Sequence, residues 1–127
     1  MPRFSKRSIA KLESCHVVLQ RLMNSVIEDT DFSVICGHRG PEEQDAAYAA
    51  NASKFKWPKS KHNSSPSMAV DIVPYPLDWK DIESFKALAL VVKRHWEMIP
   101  VEELSGTTLS WGGDWKKFKD YPHWEIK

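Results

Sequence analysis

The chain has 127 residues, 42% hydrophobic and 28% charged, with 18 basic and 17 acidic residues and a formal charge of +1. That length holds one core, so a single domain over 1–127 is expected. A balance so near neutral argues against a strongly electrostatic nucleic-acid binder, no apolar run reaches the ~18 residues of a membrane span, and two cysteines rule out a disulfide scaffold.

From Ser5 to about Asp29, Ile9, Leu12, Leu19, Leu22, Met23, Val26 and Ile27 recur at helical spacing, which predicts one long helix with Ser5 as N-cap. "DFSVICG" alternates Phe32, Val34 and Cys36 on one side, a short half-buried strand. "GPEEQDAAYAAN" reads as a helix with Pro41 at its first position and acids in its first turn. A polar loop, "SKFKWPKSKHNSSPS", leads into a strand, "MAVDIV", that "PYP" stops. A second long helix starts near Asp78 or Asp81, turns Ile82, Phe85, Leu88, Ala89, Val92 and Trp96 to one face, and ends at Pro100. "TLSWGGDW" is a strand entering a Gly-Gly turn, "KKFKDYP" a basic turn and "HWEIK" a final strand. The order predicts an α+β fold, helices packed on a small, mainly antiparallel sheet. The N-terminus, "MPRFSKRSIAKLESCH", has basic residues but no apolar core, so it is not a Sec-type signal peptide. Cys15 and Cys36 are expected to be reduced and structural.

Chemistry concentrates around two histidines beside carboxylates. Aspartate is disfavoured inside strands, yet Asp71 stands in "AVDIV" with His62 upstream. Alternation turns Asp71 away from Val70 and Ile72, and in "HWEI" it puts His123 and Glu125 opposite Trp124 and Ile126. Neighbouring strands can therefore aim Asp71 and His123 at one cleft, with His62 supplied by the loop. Two imidazoles and a carboxylate are a recognised set for catalytic zinc with a fourth position left for water, and Asp120 could serve as a base that is not a ligand. The same residues also fit histidines merely solvated beside acids, and spacing alone does not choose. His16 and His95 fall in the amphipathic helices and read as structural, while His38 precedes Arg39 and stands at most behind the ligands.

The segments resemble a known family. "SKHNSSPSMAVD" is similar to the Ser-x-His…Ala-x-Asp signature of the zinc D-alanyl-D-alanine carboxypeptidase family, which includes phage L-alanyl-D-glutamate endopeptidases and shares its metal core with lysostaphin-type peptidases and hedgehog domains. "DYPHWE" resembles its second signature, "GHRGPEEQ" its Gly-x-Arg-x-x-x-x-Gln segment and "WGGDW" its Gly-x-Asp-Trp turn, all in the family's order. The resemblance implies one Zn2+ at the sheet cleft held by His62, Asp71 and His123, and attack by a zinc-bound water with Asp120 as general base. It also implies that Arg39 holds substrate or stabilises the oxyanion, that Ser60 at the site edge binds substrate, and that Gln44 either binds substrate or only braces the Arg39 region. One departure stands out: Asp71 follows His62 by nine positions, a longer interval than the family's, and the intervening "NSSPS" has no glycine. The change is expected to alter the cleft wall and so the specificity.

The function implied is that of a phage endolysin, a peptidoglycan hydrolase cutting the L-alanyl-D-glutamate bond of the stem peptide. It would be a monomer that accumulates in the host cytoplasm and reaches the cell wall through a lesion made by a holin-type membrane protein, causing host cell lysis. Two alternatives follow from the same resemblance. A D-alanyl-D-alanine carboxypeptidase would need a dedicated site for a free carboxylate, and a non-catalytic metal-stabilised binding module would not need Asp120 or Arg39. A nucleic-acid binder using "WKKFK" is the least supported by charge.

Overall fold

The computed structural model describes residues 2–127. In chain order the elements are α1 (Lys6–Glu13), α2 (Val17–Val26), β1 (Phe32–Cys36), α3 (Pro41–Ala49), β2 (Ala69–Pro74), α4 (Ile82–Met98), β3 (Leu109–Trp111) and β4 (His123–Ile126), with single 3-10 turns at Lys61–Asn63, Val101–Glu103 and Gly112–Asp114. The strands form one sheet in the order β1-β2-β4-β3, and every neighbouring pair is antiparallel. The α+β architecture is as the sequence pattern predicts.

The single helix expected from Ser5 to Asp29 is instead two. Ser5 caps α1 as expected, its Oγ accepting from Ser8 N at 3.1 Å, but the chain breaks at Ser14–His16. There Cys15 bridges to Ser67, and His16 Nδ1 accepts from Val18 N at 3.1 Å to start α2. Those local bonds satisfy backbone groups that a continuous helix would otherwise use. The break also admits Gly37, where a Cβ would collide with Lys11 O and Ser14 Oγ. His16 is thus a helix cap, and His95 joins α4 to α2 through Ser25 Oγ (2.6 Å) and Asp29 (2.9 Å).

β1 lies at the sheet edge, where unpaired backbone groups need partners. Helix α1 supplies them. Ser8 Oγ accepts from Val34 N (3.0 Å) and donates to Val34 O (3.4 Å), and Lys11 Nζ donates to Ile35 O (3.1 Å). On the helix-covered face, Leu19, Leu22, Met23 and Val26 of α2 and Val92 of α4 meet Val70, Ile72, Trp124 and Ile126 in one core. Trp111 stacks on Trp124 with ring centroids 5.7 Å apart. Among the described residues no helix is long and apolar enough to cross a membrane.

Trp124 follows His123 on β4: its ring fills the core while its backbone pairs with β2. Trp124→Ala is expected to cost about 3–5 kcal/mol of stability, read as a lower urea midpoint. A loss below about 1 kcal/mol would contradict this packing.

Candidate metal centre

Strand register builds the site. Asp71 on β2 lies directly opposite His123 on β4 and, on its other side, opposite Cys36 on β1. The second pairing depends on a bulge: Val34 pairs with Ile72 and Cys36 with Asp71, leaving Ile35 as an extra residue on β1. A bulge of this kind re-aims the strand end beside a site. Val70, Ile72, Trp124 and Ile126 are buried in the core as alternation predicts, and Asp71, His123 and Glu125 face the cleft.

His62 arrives from the 3-10 turn, whose first backbone donors are held by Ser60 Oγ accepting from His62 N at 3.2 Å. Its Nδ1 lies 2.8 Å from Gly37 O. A carbonyl only accepts, so Nδ1 carries a proton and Nε2 is the free edge, 3.2 Å from Asp71 Oδ1. His123 is held in the opposite sense. Its Nε2 donates to Glu125 Oε1 at 2.8 Å, and its Nδ1 faces the same Asp71 Oδ1 at 3.2 Å. Two imidazole edges therefore converge on one carboxylate oxygen.

The charges follow from that convergence. Burial by itself raises Asp71, but the hydrogen bonds from His123 and His62 outweigh it and hold the carboxyl well below the usual carboxylate range. Burial disfavours the charged form of His62, yet its bonds to Asp71 and the Cys36 contact push it up to about 10. His123 is likewise opposed by burial and raised by Asp71 and Glu125 to about 9. Glu125 is lowered, first by His123 and against its own burial, with Lys61 and Lys127 adding to the effect.

Asp120 lies just outside this cluster, its Oδ2 4.0 Å from His123 Nδ1. Burial and the charge of Asp71 raise its pKa, against the pull of His123, His62 and Arg39. Gly112 permits that placement, because a Cβ there would collide with Asp120 O, and the Gly112 carbonyl accepts from Asp120 N at 3.0 Å. Arg39 reaches Asp71 Oδ2 at 3.6 Å. The cluster floors a cleft of about 840 Å³, within the range of ligand pockets, walled in part by Phe55, Trp79, Trp115 and Phe118.

Of the two readings of Gln44, the structure favours the brace over the substrate contact: it is fully buried, and its amide is spent. Oε1 accepts from Arg39 Nη1 and Asn63 Nδ2 at 3.0 Å each, while Nε2 donates to Ser53 Oγ (3.0 Å) and Phe55 O (2.6 Å). It braces Arg39 and cannot touch a ligand. The "NSSPS" stretch, residues 63–67, was expected to shape the cleft wall but contributes nothing to the lining; Ser67 turns instead to the helix break, bonding Ser14 O and His16 N. Ser60 and Arg39 do line the cleft, and His38 only touches Ser14 through its backbone.

Glu125 and Cys36 enter the site without having been expected there from the sequence. The alternation in "HWEI" already put Glu125 on the side of His123, whereas nothing local announced the bulge that brings in Cys36. Cys15 and Cys36 are both free thiols, and burial pushes Cys15 up to about 12, consistent with an inert core thiol. Cys36, His62 and Asp71 together could hold a metal ion. Cys36 Sγ, however, lies 3.7 Å from Nδ1 of His62, the ring edge already bonded to Gly37, and 3.5 Å from Arg39 Nη2.

Fold and site together are those of an α+β peptidase. Over residues 1–127 the chain matches the family described as phage L-alanyl-D-glutamate peptidase, and it belongs to that family; it is a peptidoglycan peptidase. The fold is similar to the crystal structure of Serratia marcescens L-Ala D-Glu endopeptidase ChiX, with a TM-score of 0.75 and 27% identity over 99% of this chain and 91% of that one.

The Glu125 bond to His123 is of the kind that fixes a ligand's tautomer, and losing such a bond typically weakens metal affinity 10–100-fold. Were His123 to hold a metal ion, Glu125→Ala would weaken its binding by at least tenfold in a competition titration with a chromophoric chelator. Unchanged affinity would show that Glu125 has no part in orienting His123.

Proposed function

We propose that this protein is a zinc-dependent endopeptidase that cuts the L-alanyl-D-glutamate bond of the peptidoglycan stem. The observation that carries the reading is the convergence of His62 Nε2 and His123 Nδ1 on one Asp71 oxygen, with each ring's other nitrogen already occupied. Two imidazoles and a carboxylate fit zinc in an open catalytic site, and ring nitrogens hydrogen-bonded behind them are the usual support. His62, Asp71 and His123 would hold one ion. Cys36 is left out of the set because its sulfur sits at the wrong edge of His62. Zinc, when bound, supplies Lewis-acid polarisation of the substrate carbonyl and lowers the pKa of a water to about 7.

The chain's own groups do the rest. Asp120 is close to the cluster without being one of its convergent partners, and its raised pKa suits a group that must both take and return a proton. It removes the proton from the attacking water and delivers it to the leaving amine. Arg39, held by the buried Gln44, keeps a fixed positive charge beside Asp71, where an oxyanion forming on the scissile carbonyl gains most from a preorganised cation. Ser60 borders the cleft and positions the peptide.

The bond assignment is supported by the family match and by the likeness to ChiX. A cleft this large also has room for chain on both sides of the cut, which a carboxypeptidase does not need. The 127 residues act as one monomeric peptidase domain of an endolysin, held in the host cytoplasm until a holin-type protein opens the membrane.

Chelation should abolish lysis and one equivalent of Zn2+ restore it. Asp120→Asn should retain zinc yet lose at least about 100-fold in turnover, whereas His62→Ala should lose the metal itself. Full activity of the metal-free protein, or a near-normal rate in Asp120→Asn, would refute the mechanism. Mass spectrometry of digested peptidoglycan checks the bond: new N-terminal D-glutamyl peptides are expected, and released D-alanine would mean a carboxypeptidase.

A further inference from the structure

The chain is almost neutral, but its charge is not evenly spread. Seven of the 18 basic residues line the cleft and only three of the 17 acidic ones, Asp71, Asp120 and Glu125, all within the histidine cluster. The rest of the surface therefore carries an acidic excess. Arg39 belongs to the centre, and the other six cations, Lys54, Lys59, Lys61, Lys117, Lys119 and Lys127, form the cleft's rim.

Two of the six are already engaged. Lys54 Nζ sits 4.7 Å from the centre of the Phe118 ring, and Lys119 Nζ donates to Gly113 O (3.2 Å) and Trp115 O (2.9 Å). Of the lysines away from the cleft, Lys86 and Lys93 find carboxylates, on Glu83 and Asp114. Among the described residues none of Lys59, Lys61, Lys117 and Lys127 forms an ion pair. Lys61 precedes His62 in the 3-10 turn and Lys127 follows β4, and both lie close enough to the centre to help lower the pKa of Glu125.

The proposed substrate brings a further carboxylate to this rim. A glutamyl residue has two side-by-side routes for continuing a peptide chain, and whichever carboxyl does not continue it stays free. In an alanyl-glutamyl substrate that carboxylate lies on the leaving side of the scissile bond. We propose that Lys61 and Lys127 recognise the free carboxylate of the D-glutamyl residue, so that the enzyme prefers stems bearing the acid over stems in which it is amidated. The proposal rests on the L-alanyl-D-glutamate reading above and adds specificity to it. An ammonium meeting a carboxylate is a charge-assisted bond that a neutral amide only partly replaces, and at the cleft's edge its effect is screened by salt.

The test uses the zinc-loaded enzyme and two soluble stem peptides identical except for a free or amidated D-glutamyl carboxyl. The free acid is expected to be cut with about tenfold higher kcat/KM at low salt, and the ratio should shrink in ~0.5 M salt. Lys61→Gln with Lys127→Gln should bring the ratio near unity, and the Arg versions of both should preserve it. Equal kcat/KM for the two peptides with the native enzyme overturns the inference while leaving the bond assignment intact. So does a full ratio in the double Gln variant. Equal peptide rates combined with salt-sensitive lysis of whole walls would assign the rim to bulk attraction by anionic wall polymers instead. If neither peptide is cut while intact wall is, the bond assignment itself fails and takes the inference with it.

Discussion

A single half-buried carboxylate organises this molecule. Asp71 sits inside a central strand, where an unpaired charge would cost several kcal/mol. It is compensated from three directions at once: His123 across the sheet, His62 from the turn and Arg39 from the loop after β1. Each partner is in turn held by a group behind it or beside it, namely the Gly37 carbonyl, Glu125 or the buried amide of Gln44. Removing any one of these supports leaves a buried polar group short of a partner, which is the expensive side of hydrogen bonding. Stability and site geometry are thus one problem here.

A strand is a good carrier for such a group. Val70 and Ile72 are locked in the core, so the carboxylate between them has little freedom. His123 shares the benefit through Trp124 and Ile126. The residues that need more adaptable positions, His62 and Arg39, come from irregular segments but are tied to each other, Arg39 N donating to His62 O at 2.8 Å. Rigid elements place the fixed half of the site, and a hydrogen-bonded pair of loops places the other half.

How much of this was legible in the sequence depends on how local each signal is. Alternation in "AVDIV" and "HWEI" fixed which side chains leave the core, and it needed no knowledge of partners. The register that sets Asp71 opposite both His123 and Cys36 is a property of three strands, and the bulge at Ile35 leaves no local mark. The break at Ser14–His16 was hidden for a similar reason: apolar spacing continues through it, and only Gly37 and Ser67, distant in sequence, make the interruption favourable. The choice between a substrate-binding and a bracing Gln44 stayed open because a glutamine five residues after an arginine looks the same whether it faces a ligand or the interior. Burial, which no local pattern reveals, decides that it is a brace.

The long interval between His62 and Asp71 shows how the fold separates tolerance from chemistry. Extra residues in a loop cost little in closure entropy, since that cost grows only slowly with length, provided the added chain has somewhere to go. Here it goes away from the cleft. Asn63 turns inward, donating to Arg39 O and Gln44 Oε1, and Ser67 anchors the far end at the helix break while its Oγ bonds Ala69 O (2.6 Å) and accepts from Ala69 N (3.2 Å). Both ends of the insertion are therefore pinned by buried bonds, one beneath Arg39 and one at the start of β2. The loop can lengthen between those two pins without moving His62 or Asp71, so specificity must be read from the opposite walls, where the lysines and aromatic rings face the cleft.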